Sequence, residues 1–323
     1  MTIHDICLLG GTGFVGRSLA CELTRRGHKI RVLTRRRERH RELLVHPSLD
    51  LNEVDVHDEG QLSESMAGCD TAVNLVGILN QGSRPTERFA AAHVELPGKI
   101  LAACQAQGIG RLLHMSALGA SDDAPSEYLK SKALGEERVH QEPGAVAVTS
   151  FRPSVLFGQG DDFFNRFAML LNVSPLFVPL ACADAKFAPV YVNDVVRAMA
   201  NSLDDKSSAG QRYDICGPRE YSLRELVNYA ASLRNQERHI WGLSDGLSRL
   251  QARVLERIPG KPFSYDNYLS MQRDSISADN ALPKLGITPT SVETVVPSYL
   301  GAADPNVRYQ HMRATAGREV KPR

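Results

Sequence analysis

Ile6-Cys7-Leu8-Leu9-Gly10-Gly11-Thr12-Gly13-Phe14-Val15-Gly16 decides the fold of this chain. An apolar run meets a cluster of glycines, and a helical pattern starts at Phe14. The run Ile6–Leu9 reads as a strand buried on both faces of a parallel sheet. Gly10 permits a tight turn, Gly13 lets the backbone approach a pyrophosphate, and Gly16 lets the helix pack close to the strand. The amides freed at the helix start then hold phosphates. Gly10, Thr12, Gly13, Phe14, Val15 and Gly16 are therefore candidate dinucleotide contacts. The spacing is Gly-x-x-Gly-x-x-Gly, not Gly-x-Gly-x-x-Gly. An ordinary glycine turn is the alternative, and the position directly after an apolar strand argues against it.

Outward from this turn, strand and helix patterns alternate. Helices are expected at Phe14–Arg26, Glu38–Val45, Gln61–Met66, Phe89–Gln107 and Tyr128–His140, with a kink at Pro97. Strands are expected at Lys29–Leu33, Leu49–Val54, Thr71–Val76, Arg111–Met115 and Val146–Phe151. This alternation implies an α/β fold with a doubly wound parallel sheet. Residues 1–152 read as the dinucleotide-binding core. Residues 153–303 read as a smaller, interleaved substrate region, with late core elements near 186–203. It holds an apolar loop at Asn172–Ala183 and helices at Asn193–Leu203 and Ser222–Leu233. Residues 304–323 are polar and basic without periodicity, and are expected to form a mobile tail.

With 323 residues the chain can bury a large core, and its formal charge of +1 gives no reason to expect a nucleic acid partner. The six cysteines are scattered without a Cys-x-x-Cys pair, which fits reduced thiols in a cytoplasmic setting. No signal peptide fits Met1-Thr2-Ile3-His4-Asp5, and no apolar run approaches the ~20 residues of a membrane span. Any membrane contact is then peripheral, as at the inner face of the plasma membrane. No His, Cys, Asp or Glu cluster has metal-ligand spacing, so no metal is expected.

The second strand ends Arg31-Val32-Leu33-Thr34-Arg35-Arg36-Arg37. An acid at this point would bind the adenosine ribose and select NADH; here guanidiniums follow instead. Arg35 and Arg36 suit a 2′-phosphate, so NADPH is expected over NADH. Asp55 and Val56 end the third strand, where an adenine edge would lie. Asn74-Leu75-Val76-Gly77 ends the fourth, with Asn74, Val76 and Gly77 beside the cofactor path. Ser116 follows the fifth strand. Tyr128 and Lys132 lie one helical turn apart and share a face. A phenol with an ordinary pKa near ~10 is a poor base at neutral pH, and a neighbouring ammonium favours its phenolate. Ser116 can hold a carbonyl or hydroxyl beside that phenol. Ser116, Tyr128 and Lys132 are the candidate catalytic set, and all three are also candidate cofactor contacts. His114 reads as a core or rim histidine.

Tyr128-Leu129-Lys130-Ser131-Lys132-Ala133-Leu134-Gly135-Glu136 resembles the Tyr-x-x-Ser-Lys-x-x-Gly-Glu signature of extended short-chain dehydrogenases/reductases. Phe151-Arg152-Pro153-Ser154-Val155-Leu156-Phe157-Gly158-Gln159-Gly160-Asp161 is similar to their Arg-Pro…Tyr/Phe-Gly-x-Gly segment. Pro189-Val190-Tyr191-Val192-Asn193-Asp194-Val195 is similar to a later Val-x-Asp-Val segment. The resemblance covers roughly residues 5–235. It implies a Rossmann-type fold and adds Pro153 and Val155 to the candidate cofactor contacts. Asn74–Gly77, His114–Leu118 and Phe187–Val192 narrow it to the atypical branch that includes the respiratory complex I alpha subcomplex subunit 9 family and its bacterial relatives. One departure stands out: His93 replaces the Asn that many extended members carry, which challenges their usual proton relay.

The resemblance implies an oxidoreductase, and the apolar loop at Val173–Ala181 favours a quinone-like or lipid-like substrate. A non-catalytic NADPH-stabilised scaffold or assembly factor and a sugar-nucleotide epimerase/dehydratase stay open. Leu243, Leu247, Leu250, Val254 and Ile258 form one stripe of an expected helix at Trp241–Ile258, and Arg249, Arg253 and Arg257 form another. That helix packs on the domain or lies on a membrane surface with Trp241 dipping in; Pro259-Gly260 ends it.

Overall fold

The computed structural model describes residues 2–79, 85–173, 176–236, 238–258 and 263–301. The expected tail at 304–323 and the Pro259-Gly260 stop lie outside the described residues. The first strand, β1 (Asp5–Leu9), shows why the fold forms. Ile6 and Leu8 belong to one buried cluster, Cys7 and Leu9 to another, so both faces of the strand are covered. A glycine turn leads into α1 (Phe14–Arg25), whose Leu19, Ala20 and Leu23 join the first cluster. β2 (Lys29–Thr34) and β3 (Leu49–Glu53) extend the sheet, and α2 (Glu59–Met66) returns the chain to β4 (Thr71–Asn74).

The long expected helix is α3 (Pro85–Phe89), a widened π-turn at Ala90–Glu95, and α4 (Leu96–Gln107). The π-turn lies just ahead of Pro97, which has no N–H for the carbonyl of His93. β5 (Arg111–Met115), α5 (Glu127–Gln141) and β6 (Ala147–Pro153) complete the first half. β7 (Leu156–Phe157), α6 (Phe163–Val173), β8 (Phe177–Leu180), β9 (Lys186–Phe187) and β10 (Val190–Tyr191) lead to α7 (Val192–Asn201). β11 (Arg212–Ile215), β12 (Tyr221–Ser222), α8 (Leu223–Leu233), β13 (His239–Gly242), α9 (Asp245–Leu255) and α10 (Tyr265–Ser270) follow.

Seven strands form one sheet in the order β11-β6-β5-β4-β1-β2-β3, and every pairing is parallel. The order reverses between β1 and β4, which opens a crevice at the carboxyl ends of those strands. A third core of aromatic and branched side chains, from Phe157 to Leu300, lies in the C-terminal half.

Three expectations change. Glu38–Val45 is a 3₁₀ segment from Arg37 broken at His40, not a regular helix. Asn172–Ala183 is not a loop: it holds the end of α6 and the strand β8, which pairs in parallel with β13. Trp241 belongs to that second strand, so the helix expected from Trp241 begins at Asp245.

Candidate active site

Each glycine of the first turn meets a specific obstacle. Gly10 has φ +78°, and a Cβ there would stand 2.8 Å from the Leu75 carbonyl carbon. The turn after β1 thus touches the segment after β4, at the crevice itself. A Cβ on Gly16 would stand 2.3 Å from the Gly10 oxygen, so Gly16 packs on the turn rather than on the strand. Gly13 caps α1 without a side-chain hydrogen bond, which leaves the first helical amides to a ligand. This cradle fits a pyrophosphate. Thr12 and Val15 are half-buried beside it, and Phe14 packs against the first core.

Thr34 closes β2, and the Arg35, Arg36 and Arg37 side chains are exposed. Among the described residues their guanidiniums form no ion pair. The adenosine corner is not free of acid, however. Glu53 ends β3 opposite Thr34, and its carboxylate accepts the Arg37 backbone N–H at 2.8 Å. Sequence reading missed Glu53 because strand register is not written in either strand alone. Asp55 is exposed and accepts the His57 N–H at 3.0 Å, and Val56 packs on the second core.

Asn74 does not face the crevice as a free contact. Its Oδ1 accepts the Val76 N–H at 3.1 Å, and its amide lies 3.2 Å from His114 Nδ1. With the oxygen occupied, the Asn74 amide donates, so His114 keeps its proton on Nε2. Burial holds His114 well below the usual imidazole range. Val76 packs on the second core, and Gly77 is exposed where a Cβ would stand 3.3 Å from Lys132 Nζ.

α5 carries the candidate catalytic pair. Ser126 caps it by accepting the Leu129 N–H at 3.2 Å. The Asp266 carboxylate of α10 accepts the N–H groups of Glu127 and Tyr128 at 2.7 and 3.2 Å. Lys132 is buried and donates to the Met115 carbonyl at 3.0 Å. Burial pushes its ammonium down to about 8 against the pull of Glu136. Burial, assisted by Asp266, pushes the Tyr128 phenol up to about 12. Ser116 is buried, and among the described residues its hydroxyl and His114 Nε2 have no hydrogen-bond partner. An orphaned hydroxyl beside β5 is poised for a ligand oxygen.

His93 fills the position of the missing Asn, and its bonds have one consistent polarity. Nε2 accepts the Ile78 N–H at 3.1 Å. Nδ1 lies 2.8 Å from Ser131 Oγ, which itself donates to the Tyr128 carbonyl at 2.8 Å. The ring is therefore the neutral Nδ1–H tautomer with both nitrogens engaged. Burial and the Lys132 charge push it down to about 3. His93 braces the helix and has no free nitrogen for proton relay. Phe89 stacks on it, with 5.4 Å between ring centroids, and meets Tyr128 edge-on.

The rest of the signature anchors the same helix. A Cβ on Gly135 would stand 1.6 Å from the His93 oxygen, the carbonyl that Pro97 cannot pair. Glu136 is buried; both its oxygens accept from Arg152 Nε at 2.9 Å and one also pairs with Arg212 at 3.4 Å, which ties α5 to the Arg-Pro segment. Pro153 is buried and its carbonyl accepts the Leu118 N–H; the Val155 carbonyl accepts the Val190 N–H. Val178, Leu180 and Ala181 of the expected substrate loop are buried, the first two in the third core, while Leu176 and Phe177 of the same segment are exposed.

Residues 6–216 match the sequence model of the NAD dependent epimerase/dehydratase family. The chain is 29% identical over 294 residues to NADH dehydrogenase [ubiquinone] 1 alpha subcomplex subunit 9, mitochondrial, of Arabidopsis thaliana, covering 85% of this chain and 71% of that one. It is 25% identical over 252 residues to 2-alkyl-3-oxoalkanoate reductase of Stenotrophomonas maltophilia, covering 69% and 73%. Its fold resembles that of UDP-glucuronic acid 4-epimerase from Bacillus cereus, solved with UDP-glucuronic acid and NAD. The TM-score is 0.71 at 15% identity, covering 95% of this chain and 99% of that one.

Proposed function

This chain belongs to the NAD dependent epimerase/dehydratase family, and from that premise we propose that it is an NADP(H)-dependent reductase acting on an apolar carbonyl or quinone-like substrate. The observation that carries the reading is α5. Its Lys132 donates to the carbonyl at the end of β5, and its Tyr128 packs on the cluster of Ala117, next to Ser116, whose hydroxyl has no partner among the described residues. A bound nicotinamide supplies the hydride. The uncapped start of α1 holds its pyrophosphate, Arg35 and Arg36 hold a 2′-phosphate, and Lys132 binds the nicotinamide ribose. Ser116 donates to the substrate oxygen. Tyr128 gives that oxygen its phenolic proton, and the Lys132 charge favours the phenolate left behind.

A phenol pushed up to about 12 keeps its proton at neutral pH and can donate it to a substrate oxygen. The likeness to 2-alkyl-3-oxoalkanoate reductase supports an apolar substrate. Peripheral membrane contact, on the cytoplasmic side, belongs to the same reading.

One observation favours a second reading, a non-catalytic cofactor-stabilised scaffold: the likeness to a subunit of a respiratory complex. Purified protein loaded with NADPH and offered quinones, 3-oxoacyl esters and aliphatic ketones separates the two. Cofactor oxidation by a member of the panel supports the reductase. Tight NADPH binding without oxidation by any member supports the scaffold.

A further inference from the structure

α9 is amphipathic the wrong way round for a helix docked on its own domain. The residues it buries are Ser248 and Ala252. It is tied down by polar bonds: Ser248 Oγ accepts the Cys182 N–H at 3.4 Å, and Gln251 donates to the Pro179 carbonyl at 2.9 Å. Its large apolar side chains face outward. Leu247, Leu250, Val254 and the following Ile258 are 45%, 57%, 51% and 45% exposed. Their spacing of three to four residues makes one continuous stripe. Trp241, 55% exposed, lies on β13 opposite Pro179, the residue whose carbonyl accepts from Gln251 of α9.

Arginines border this stripe. Arg249 and Arg253 lie over the Tyr268 and Tyr265 rings, 5.9 and 5.2 Å from their centroids, and Arg257 follows one turn later. All three are exposed; Arg249 also pairs with Asp245 at 3.0 Å, so Arg253 and Arg257 carry the positive charge of the ridge. A stripe of Leu, Val and Ile with a Trp at one end and a guanidinium ridge along one side matches the interface of an anionic bilayer. The exposed halves of five large side chains total roughly 500 Å², the size of an apolar patch that marks an interaction site. Among the described residues no helix is long and apolar enough to cross a membrane.

We propose that the α9 stripe and Trp241 form a membrane-docking surface for anionic phospholipid. The helix lies in the headgroup plane with its apolar stripe below and its arginines against phosphate. The surface adjoins the candidate active site. Tyr268 bonds to Asp245 at the start of α9, and Asp266 of the same short helix α10 holds the amides at the start of α5. A docked protein therefore presents the Tyr128 end of α5 near the bilayer, where apolar substrates dissolve. This inference deepens the proposed membrane contact and does not depend on hydride transfer.

The test is sedimentation of the full chain with vesicles, with neither cofactor nor substrate. One set is phosphatidylcholine alone; the other is two parts phosphatidylcholine to one part phosphatidylglycerol. Binding to the anionic set at low salt is expected, weakened by high salt and by about fivefold for each of Arg253→Gln and Arg257→Gln. Leu250→Glu with Val254→Glu should abolish it while the melting temperature stays within error of wild type, since both positions are exposed. No binding to anionic vesicles at low salt overturns the proposal, as does binding that the double glutamate variant keeps. A dimer in solution that this variant dissociates, without vesicle binding, assigns the stripe to a second copy and also overturns it. Reductase turnover is read separately, so vesicle binding without turnover leaves the surface standing and rejects the reaction.

Discussion

Gly135→Ala adds one carbon atom where the structure has no room for it. The new Cβ would stand 1.6 Å from the His93 oxygen and 2.8 Å from its carbonyl carbon. A relaxed carbon–oxygen contact is about 3.3–3.6 Å, so α5 and the π-turn must part by roughly 2 Å. Neither can move freely. α5 is held by the Glu136–Arg152 pair and by Lys132 on the Met115 carbonyl, and Val139 is fully buried. Overpacking of this kind costs about 1–3 kcal/mol. Separation also breaks the Ser131–His93 hydrogen bond, worth about 1 kcal/mol. Alanine returns about 1 kcal/mol through its better helix propensity. The net loss is about 1–3 kcal/mol, a fall in melting temperature of roughly 1.5–5 °C for a chain of this size. Thermal unfolding followed by circular dichroism measures it. Gly246→Ala is the control, because it lies in α9 with no atom within 4 Å of the added carbon. It should melt at or slightly above wild type. The packing argument fails if Gly135→Ala also melts at or above wild type.

Lys132, pushed down to about 8, should give reduction an upper pH limb near that value as its ammonium is lost. Lys132→Arg should move the limb upward, and a rate flat to about pH 10 would count against Lys132 as the charged partner. Arg35→Ala should weaken NADPH by about tenfold or more and NADH little, since one guanidinium–phosphate bond is lost. Glu53→Gln should strengthen NADPH, because a carboxylate leaves the adenosine corner; fluorescence titration of both reduced cofactors reads both variants, and equal effects on NADPH and NADH would reject the assignment. His4 titrates high: burial pulls it down, but its hydrogen bonds to Asp204 and Asp70 outweigh that. A raised folded pKa stabilises below the unfolded value of about 6.5, and the gain is lost as pH rises through the folded pKa. Melting temperature should therefore fall less between about pH 6 and pH 9 in His4→Gln than in wild type, and an identical fall would remove His4 from the account.

The opening strand and turn were legible because two periods meet there: a strand buried on both faces, then glycines whose missing Cβ atoms are each required by a neighbour. The Tyr128–Lys132 spacing was legible for a similar reason, since one helical turn fixes a shared face. What a neighbour decides was not legible. Glu53 reaches the adenosine corner only through its register with Thr34. The role of His93 depends on the Ser131 hydroxyl and the Ile78 amide, distant in sequence. Trp241 read as the start of a helix, yet pairs across a ladder with Pro179, inside a segment that read as a loop. The signature around Tyr128 gave no structural role to Ser131, Gly135 or Glu136. Ser131, Gly135 and Glu136 instead hold α5 to His93 and Arg152, and only Ser116, Tyr128 and Lys132 keep chemistry to offer.

The proton from Tyr128 is the central claim, and Tyr128→Phe tests it directly. The variant keeps the ring against Phe89 and removes only the hydroxyl. With an acceptor that oxidises NADPH bound to wild type, stopped-flow absorbance gives the reduction rate and fluorescence titration gives the cofactor affinity. The account predicts a rate reduced by about 10²-fold or more, the usual worth of a positioned general acid, with NADPH affinity within about twofold of wild type. An unchanged rate in Tyr128→Phe would contradict it.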